Sequence, residues 1–231
     1  MLFKFILQTL FRLQEHMMSA PSETGTKARL LQAGRKVFAE QGIKNATVRD
    51  ICSLAGANVA SVNYHFGGKD KLYVAVLQDY MEREAKRHPH DLNVTKDSPS
   101  EDRLRAYVQS FLAQTLGDGT AENERLGKLL KQEFIEPSPH FGEIFERNCR
   151  PKHSYLLDIL RHMLPGVEEV VVSRCGSSII GQCVLFDFAK EALTRMNPEL
   201  TLKASNIEHI TEFIMQFSLG GIERIRLAHQ H

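Results

Sequence analysis

Ten histidines and four cysteines are the side chains of this 231-residue chain best equipped for catalysis or metal binding, and their spacing supports neither. His88 and His90 share a loop, and His229 and His231 lie at the tail. Cys52, Cys149, Cys175 and Cys183 form no C-x2-C pair, so they read as reduced thiols of a cytoplasmic protein. No H-E-x-x-H, E-x-x-H, G-x-S-x-G or phosphate-loop pattern occurs. The expectation is a protein without metal or cofactor that is not an enzyme. A different chemistry is concentrated between Thr47 and Lys71. Arg49, Lys69 and Lys71 flank a stretch, Leu54 to Phe66, that has no Lys or Arg. That stretch offers small groups and the polar tips of Ser61, Tyr64 and His65. Cations outside and small polar groups inside suit a polyanion whose edges are read by hydrogen bonds.

Charge supports this division. The net charge is +1, but residues 22 to 71 carry eight basic and four acidic side chains. That head is +4, and residues 72 to 231 are −4. A basic head on an acidic body points to a polyanion partner for the head alone.

The elements that must position these groups are helical. Hydrophobic residues make up 42% and charged ones 25%, an ordinary globular mix. After Ser22 the apolar residues recur with helical period, and no run alternates with period two. A first helix is expected from Glu23 to Gln41, with Leu30, Leu31, Ala33, Gly34, Val37 and Phe38 as its stripe and Gly42 as a left-handed cap. Thr47 caps a helix from Val48 to Ala55, and Asp50 three residues on approximates a capping box. Asn58 caps a third, Val59 to Phe66, and a linking helix runs from Lys69 to about residue 88. A polar, proline-containing linker then leads to longer helices. One of them spans Pro139 to Met163 with a kink or break at Pro151, one Val167 to Met196 and one Asn206 to Ala228.

Two short helices joined by a glycine-containing turn and set against a first helix make a helix-turn-helix. In such a motif Val59–Phe66 would lie in the major groove of DNA. The expected architecture is all-α: a three-helix DNA-binding head over residues 22–88, linking helix included, and a larger helical body over 100–231.

The last two long helices carry apolar residues on more than one side. "CGSSIIGQCVLF" (residues 175–186) has no charge, and its small residues permit close approach of a neighbour. Facing their copies across a two-fold axis, the two helices would form a four-helix bundle. The candidate interface is Ile179, Ile180, Cys183, Phe186, Ile210, Ile214, Phe217 and Gly221.

Residues 1–21 stand outside this fold. "MLFKFILQTLFRLQEHMMSA" has no apolar run longer than three and is too interrupted for a membrane span. Three accounts compete: a misassigned start, with Met17 or Met18 as the true first residue; a docking helix; or a membrane-surface helix. The first is preferred, and no stable membrane association is expected.

Residues 30–73, "LLQAGRKVFAEQGIKNATVRDICSLAGANVASVNYHFGGKDKLY", resemble the N-terminal domain of TetR-family transcriptional regulators. They share the apolar-x-x-A-x-x-x-F-x-x-x-G start, the T-x-R-x-I-x-x-x-A-G middle and the Y-x-F-x-x-K-x-x-L end. Asn63 departs from the pattern, since many members have Tyr there. "NVASVNYHFGGKDKLY" and, more loosely, the C-terminal helices are similar to a subfamily with a CerR-type C-terminal domain.

The resemblance implies a ligand-responsive regulator, most often a repressor, that binds a palindromic double-stranded operator as a homodimer and is released by a small-molecule effector. It transfers DNA contact by position to Arg49, Val59, Ala60, Ser61, Tyr64, His65 and Lys69. Residue chemistry agrees. Thr47 opens a helix N-terminus suited to phosphate, and Arg49 can reach a phosphate or a guanine edge. Val59, Ala60 and Ser61 are small enough for close approach, and Lys69 would clamp a phosphate. The resemblance also implies a pocket in the body, with Tyr107, Phe111, Phe134, Phe141, Phe145 and Tyr155 as candidate lining and Glu133, His140 and Arg150 as polar candidates. The alternatives are a membrane-surface helical protein anchored by residues 1–16, or a helical enzyme without a recognisable motif.

Overall fold

The computed structural model describes residues 23–92, 94–116, 120–200 and 202–229. The expectations for residues 1–21 lie outside them. Among the described residues the chain is helical throughout, with no strand. It forms two compact units divided between Val76 and Leu77.

In the N-terminal unit, α1 (Glu23–Asn45) buries Leu30, Ala33, Val37 and Phe38 at steps of three, four and one. Gly42 is not the left-handed cap expected. It takes φ 70°, ψ 173°, open only to a residue without Cβ, while Ala46 N–H still donates to its carbonyl (3.2 Å). Hydrogen bonding therefore carries the helix past its kink to Asn45. Next comes α2 (Val48–Ala55), capped by Thr47, whose Oγ1 accepts from Asp50 N–H (3.1 Å) and donates to Asp50 Oδ2 (2.7 Å). Asp is one methylene shorter than the Glu of a capping box, and its carboxylate meets the cap's hydroxyl. Gly56 (φ 59°, ψ 44°) ends α2. Asn58 Oδ1 accepts from Ala60 N–H (3.0 Å) and opens α3 (Val59–Phe66). α4 (Lys69–Arg87) follows. Ile51 of α2, Val62 of α3, and Leu72 and Tyr73 of α4 complete the core, with the Tyr73 ring edge-on to Phe38 at 5.3 Å. The division falls inside α4, so its second half packs with the C-terminal unit rather than with the head.

The C-terminal unit comprises α5 (Ser100–Leu116), α6 (Ala121–Ile135), α7 (Phe141–Asn148), α8 (Arg150–Met163), α9 (Glu169–Phe188), α10 (Lys190–Met196) and α11 (Ile207–Ala228). α5 lies at its centre and packs against α8, α9 and α11. Leu104, Val108, Leu112, Leu156, Ile159, Ile179, Ile214 and Met215 fill the core. Two long helices expected from the sequence are each two helices. The first breaks at Cys149, beside the Pro151 where a kink or break was expected, and Pro151 sits in the opening turn of α8, where its missing N–H forfeits no bond. The second breaks at Ala189 (φ −101°, ψ 13°). Several buried polar groups are paired, with a buried or a more exposed partner. Glu84 Oε1 accepts from Asn123 Nδ2 (3.1 Å), and Lys131 Nζ donates to Asp187 Oδ1 (2.5 Å). The guanidinium of Arg103 donates to Asp158 (2.8 Å), and this holds the Asp158 carboxyl below its usual range.

Candidate nucleic-acid interface

In α3 the positions 59, 60, 63 and 64 recur at helical spacing, and all of them are exposed. Val62 faces the opposite way and is fully buried. The outward face therefore carries Val59, Ala60, Asn63 and Tyr64, with Ser61 and His65 at its margins. Tyr64 is the most prominent, 73% exposed, and its ring meets that of His65 edge-on at 4.9 Å. Asn63 was legible only as a departure from a family pattern. The geometry sets its amide between Ala60 and Tyr64 on the open face. An amide there can pair bidentately with adenine N6 and N7. Helical spacing from Ala60 and Tyr64 was the signal that could have found it.

The flanking groups separate into two kinds. Thr47 and Arg49 are exposed at the start of α2, and Lys71 is exposed on α4. Lys69 is half-buried, and its ammonium donates to the carbonyls of Ile43 (2.9 Å) and Ala46 (3.0 Å). It ties the end of α1 to the start of α4, an internal task in addition to any phosphate contact. Two other basic residues are likewise engaged inside the head: Arg29 Nε donates to Ala55 O (3.0 Å), and Lys27 Nζ lies 5.8 Å over the Phe66 ring.

The six aromatic pocket candidates do not meet in one place. Tyr107, Phe111 and Tyr155 form one set, with Tyr107 and Tyr155 stacked at 6.4 Å. Phe134, Phe141 and Phe145 form another, at 5.2 and 5.8 Å. The sets arise on different helix pairs, α5 with α8 and α6 with α7, which spacing along the chain does not reveal. An open cleft of about 440 Å³ lies elsewhere, beside Glu101, His162, Glu223 and Arg226, and none of the six lines it. Glu133 is buried, and its Oε2 accepts from Ser138 N–H (3.1 Å). Arg150 pairs with Glu146 on the surface. Burial pushes the Cys183 thiol up to about 12 and raises the Tyr107 hydroxyl beside it.

The eight dimer candidates also divide, and half of them need correction. Ile179, Cys183, Ile210 and Ile214 are buried in the chain's own core; Ile180 and Phe186 are half-buried; Phe217 and Gly221 are exposed. The wide apolar belt has two faces, and the candidates mixed them. The outward stripe of α9 is Val170, Ser177, Gly181, Leu185 and Phe188, and that of α11 is Phe213, Phe217, Gly220 and Leu227. Gly176 serves the inside, since a Cβ there would lie 3.0 Å from Leu157 Cδ2, whereas Gly181 faces open space.

Residues 30–76 match the family model of bacterial regulatory proteins of the tetR family. Residues 100–222, more than half the chain, match that of the HTH-type transcriptional dual regulator CecR, C-terminal domain. The chain belongs to the TetR family. Its C-terminal half, expected as CerR-type, is this CecR-type domain. The proteins that these matches name are transcriptional regulators. It is 29% identical over 144 residues to the dual regulator CecR of Shigella flexneri, covering 58% of this chain and 62% of that one. It is 34% identical over 122 residues to the repressor KstR2 of Mycolicibacterium smegmatis, covering 50% and 59%. The chain thus spans about three fifths of the length of these TetR-family relatives. A solved transcriptional regulator from Rhodococcus shares the fold, with a TM-score of 0.61, 18% identity and coverage of 84% of this chain and 96% of that one.

Proposed function

We propose that the protein is a cytoplasmic, sequence-specific DNA-binding repressor that acts as a homodimer and is released by a small-molecule effector. The observation that carries this reading is the outward face of α3. It presents Val59, Ala60, Asn63 and Tyr64 without a charge, flanked by exposed Thr47, Arg49 and Lys71. Uncharged small groups let the helix enter the groove, Asn63, Ser61, Tyr64 and His65 supply polar contacts, and the cations engage phosphates at its rim. Family membership supports the reading, and the names of the two relatives, a repressor and a dual regulator, leave activation as an outcome of the test.

The dimer rests on the two outward apolar stripes of α9 and α11. α9 is long and apolar enough to cross a membrane by length and composition. A second copy covers its outward face more simply than lipid does, because α11 presents a matching stripe beside it.

A gel shift with fragments from upstream of the gene tests the function. A specific complex that resists competitor DNA and weakens with salt is expected. Tyr64→Ala should weaken that complex on all sequences, whereas Asn63→Ala and Ser61→Ala should change sequence preference more than affinity. Absence of a specific shift on every upstream fragment would end this reading. Fractionating the full chain against one starting at Met17 tests the membrane alternative.

A further inference from the structure

α5 and α8 face each other as an antiparallel ladder. Arg103 pairs with Asp158, Tyr107 stacks on Tyr155, and Gln114 meets Lys152. One rung lacks a counter-charge. Arg103 has its carboxylate at 2.8 Å, but half-buried Lys152 donates from Nζ only to the neutral Oε1 of Gln114 (2.7 Å) among the described residues. An ammonium has three donors, so two remain. The thiol of Cys149, the residue just before α8, supplies no counter-charge, and burial raises its pKa further. Burial also lowers the Lys152 pKa, consistent with a cation that an anion would relieve.

A strap covers this seam. The carbonyl of His88, the residue after α4, accepts from Ser110 Oγ (2.8 Å) and Gln114 Nε2 (2.7 Å). The His90 ring lies edge-on to Tyr155 at 4.5 Å. Leu92 holds φ 43°, a left-handed conformation unusual for its side chain. Polar bonds at the His88 carbonyl and the His90–Tyr155 ring contact help hold the strap, and Leu92 at its far end is strained.

We propose that the α5–α8 seam beneath the strap is the effector site and that the effector is an aromatic carboxylate. This rests on the reading of the protein as effector-responsive. The carboxylate pairs with Lys152, and the ring replaces His90 against Tyr155. Arg103 is excluded as the anchor because Asp158 already neutralises it. Gln114 is the positioning residue that carries the signal. A carboxylate taking the two free donors draws the ammonium toward itself and away from Gln114 Oε1, and the same side chain's Nε2 grips the carbonyl that follows α4. Binding therefore loosens the hold on the end of the helix that continues into the head, which gives the effector a differential contact with two states.

The test uses the full-length protein with benzoate and cinnamate, and benzamide and cinnamamide as neutral counterparts. Calorimetry should show at least one acid binding in the submillimolar range and its amide at least tenfold more weakly. Lys152→Met should lose tenfold or more in affinity, Lys152→Arg should retain binding, and Lys152→Gln substitutes if the Met variant fails to fold. No acid binding at millimolar concentration, equal binding of acid and amide, or unchanged affinity in the Met or Gln variant overturns the site. None of these measurements involves DNA, so their failure is distinct from failure of the gel shift. On a fragment that shifts with the unmodified protein, Gln114→Leu should still bind the acid but should hold DNA weakly whether or not the acid is present. Release as in the unmodified protein overturns the relay.

Discussion

Lys69 shows how one side chain can carry two assignments. By position it is a phosphate clamp; by geometry its ammonium holds two carbonyls of the head, those of Ile43 and Ala46. Hydrogen bonds from a charged donor are worth about 1.5–3 kcal/mol where buried, less where water competes. Lys69→Gln is expected to destabilise the head by about 1–2 kcal/mol, seen as a lower melting temperature. The dependence of DNA affinity on salt should then stay nearly unchanged. Arg49 is exposed at the start of α2, so Arg49→Ala should do the reverse. It should reduce the log–log salt slope by about 1 with no change in melting. A slope lost in both variants would return Lys69 to the phosphate role.

At the scale of elements, caps and breakers decide where helices stop. The N-caps Thr47 and Asn58 and the stop at Gly56 were all legible, because each acts through its own backbone neighbours. The break at Cys149 was legible too, since it falls two residues before Pro151, which cannot sit inside a helix without losing a bond. The break at Ala189 was not, because alanine is no breaker by type. Gly56 isolates the conformational term. It is left-handed at φ 59°, and a Cβ there would meet nothing within 4 Å. Gly56→Ala should therefore cost about 1 kcal/mol from backbone strain alone, measurable by urea unfolding. A neutral result would mean that the α2–α3 turn has another accessible conformation.

For the whole molecule, the question is which face of an apolar helix points inward. Ile214 is fully buried and Phe217, three residues on, is 68% exposed. The two positions should separate folding from assembly. Phe217→Glu is expected to give a folded monomer by sedimentation, with native circular dichroism and weakened DNA binding. Ile214→Ala should cost about 2–5 kcal/mol of stability without changing the oligomeric state of the folded fraction. A dimer that survives Phe217→Glu would move the interface away from the α9–α11 face.

The sequence by itself determined the all-α class, the three head helices, their caps and the basic head, because these depend on periodicity and on contacts a few residues apart. It also carried the family pattern from Leu30 to Tyr73. Only the tertiary structure decided that Asn63 shares the open face of α3, that Lys69 grips the end of α1, and that six aromatics form two groups rather than one. It also parted inward Ile179 and Ile214 from outward Leu185 and Phe217, and left Lys152 facing Gln114 without a carboxylate among the described residues. Each of these depends on which surface a distant helix covers, and a one-dimensional pattern of apolar residues records that a helix is covered without recording by what.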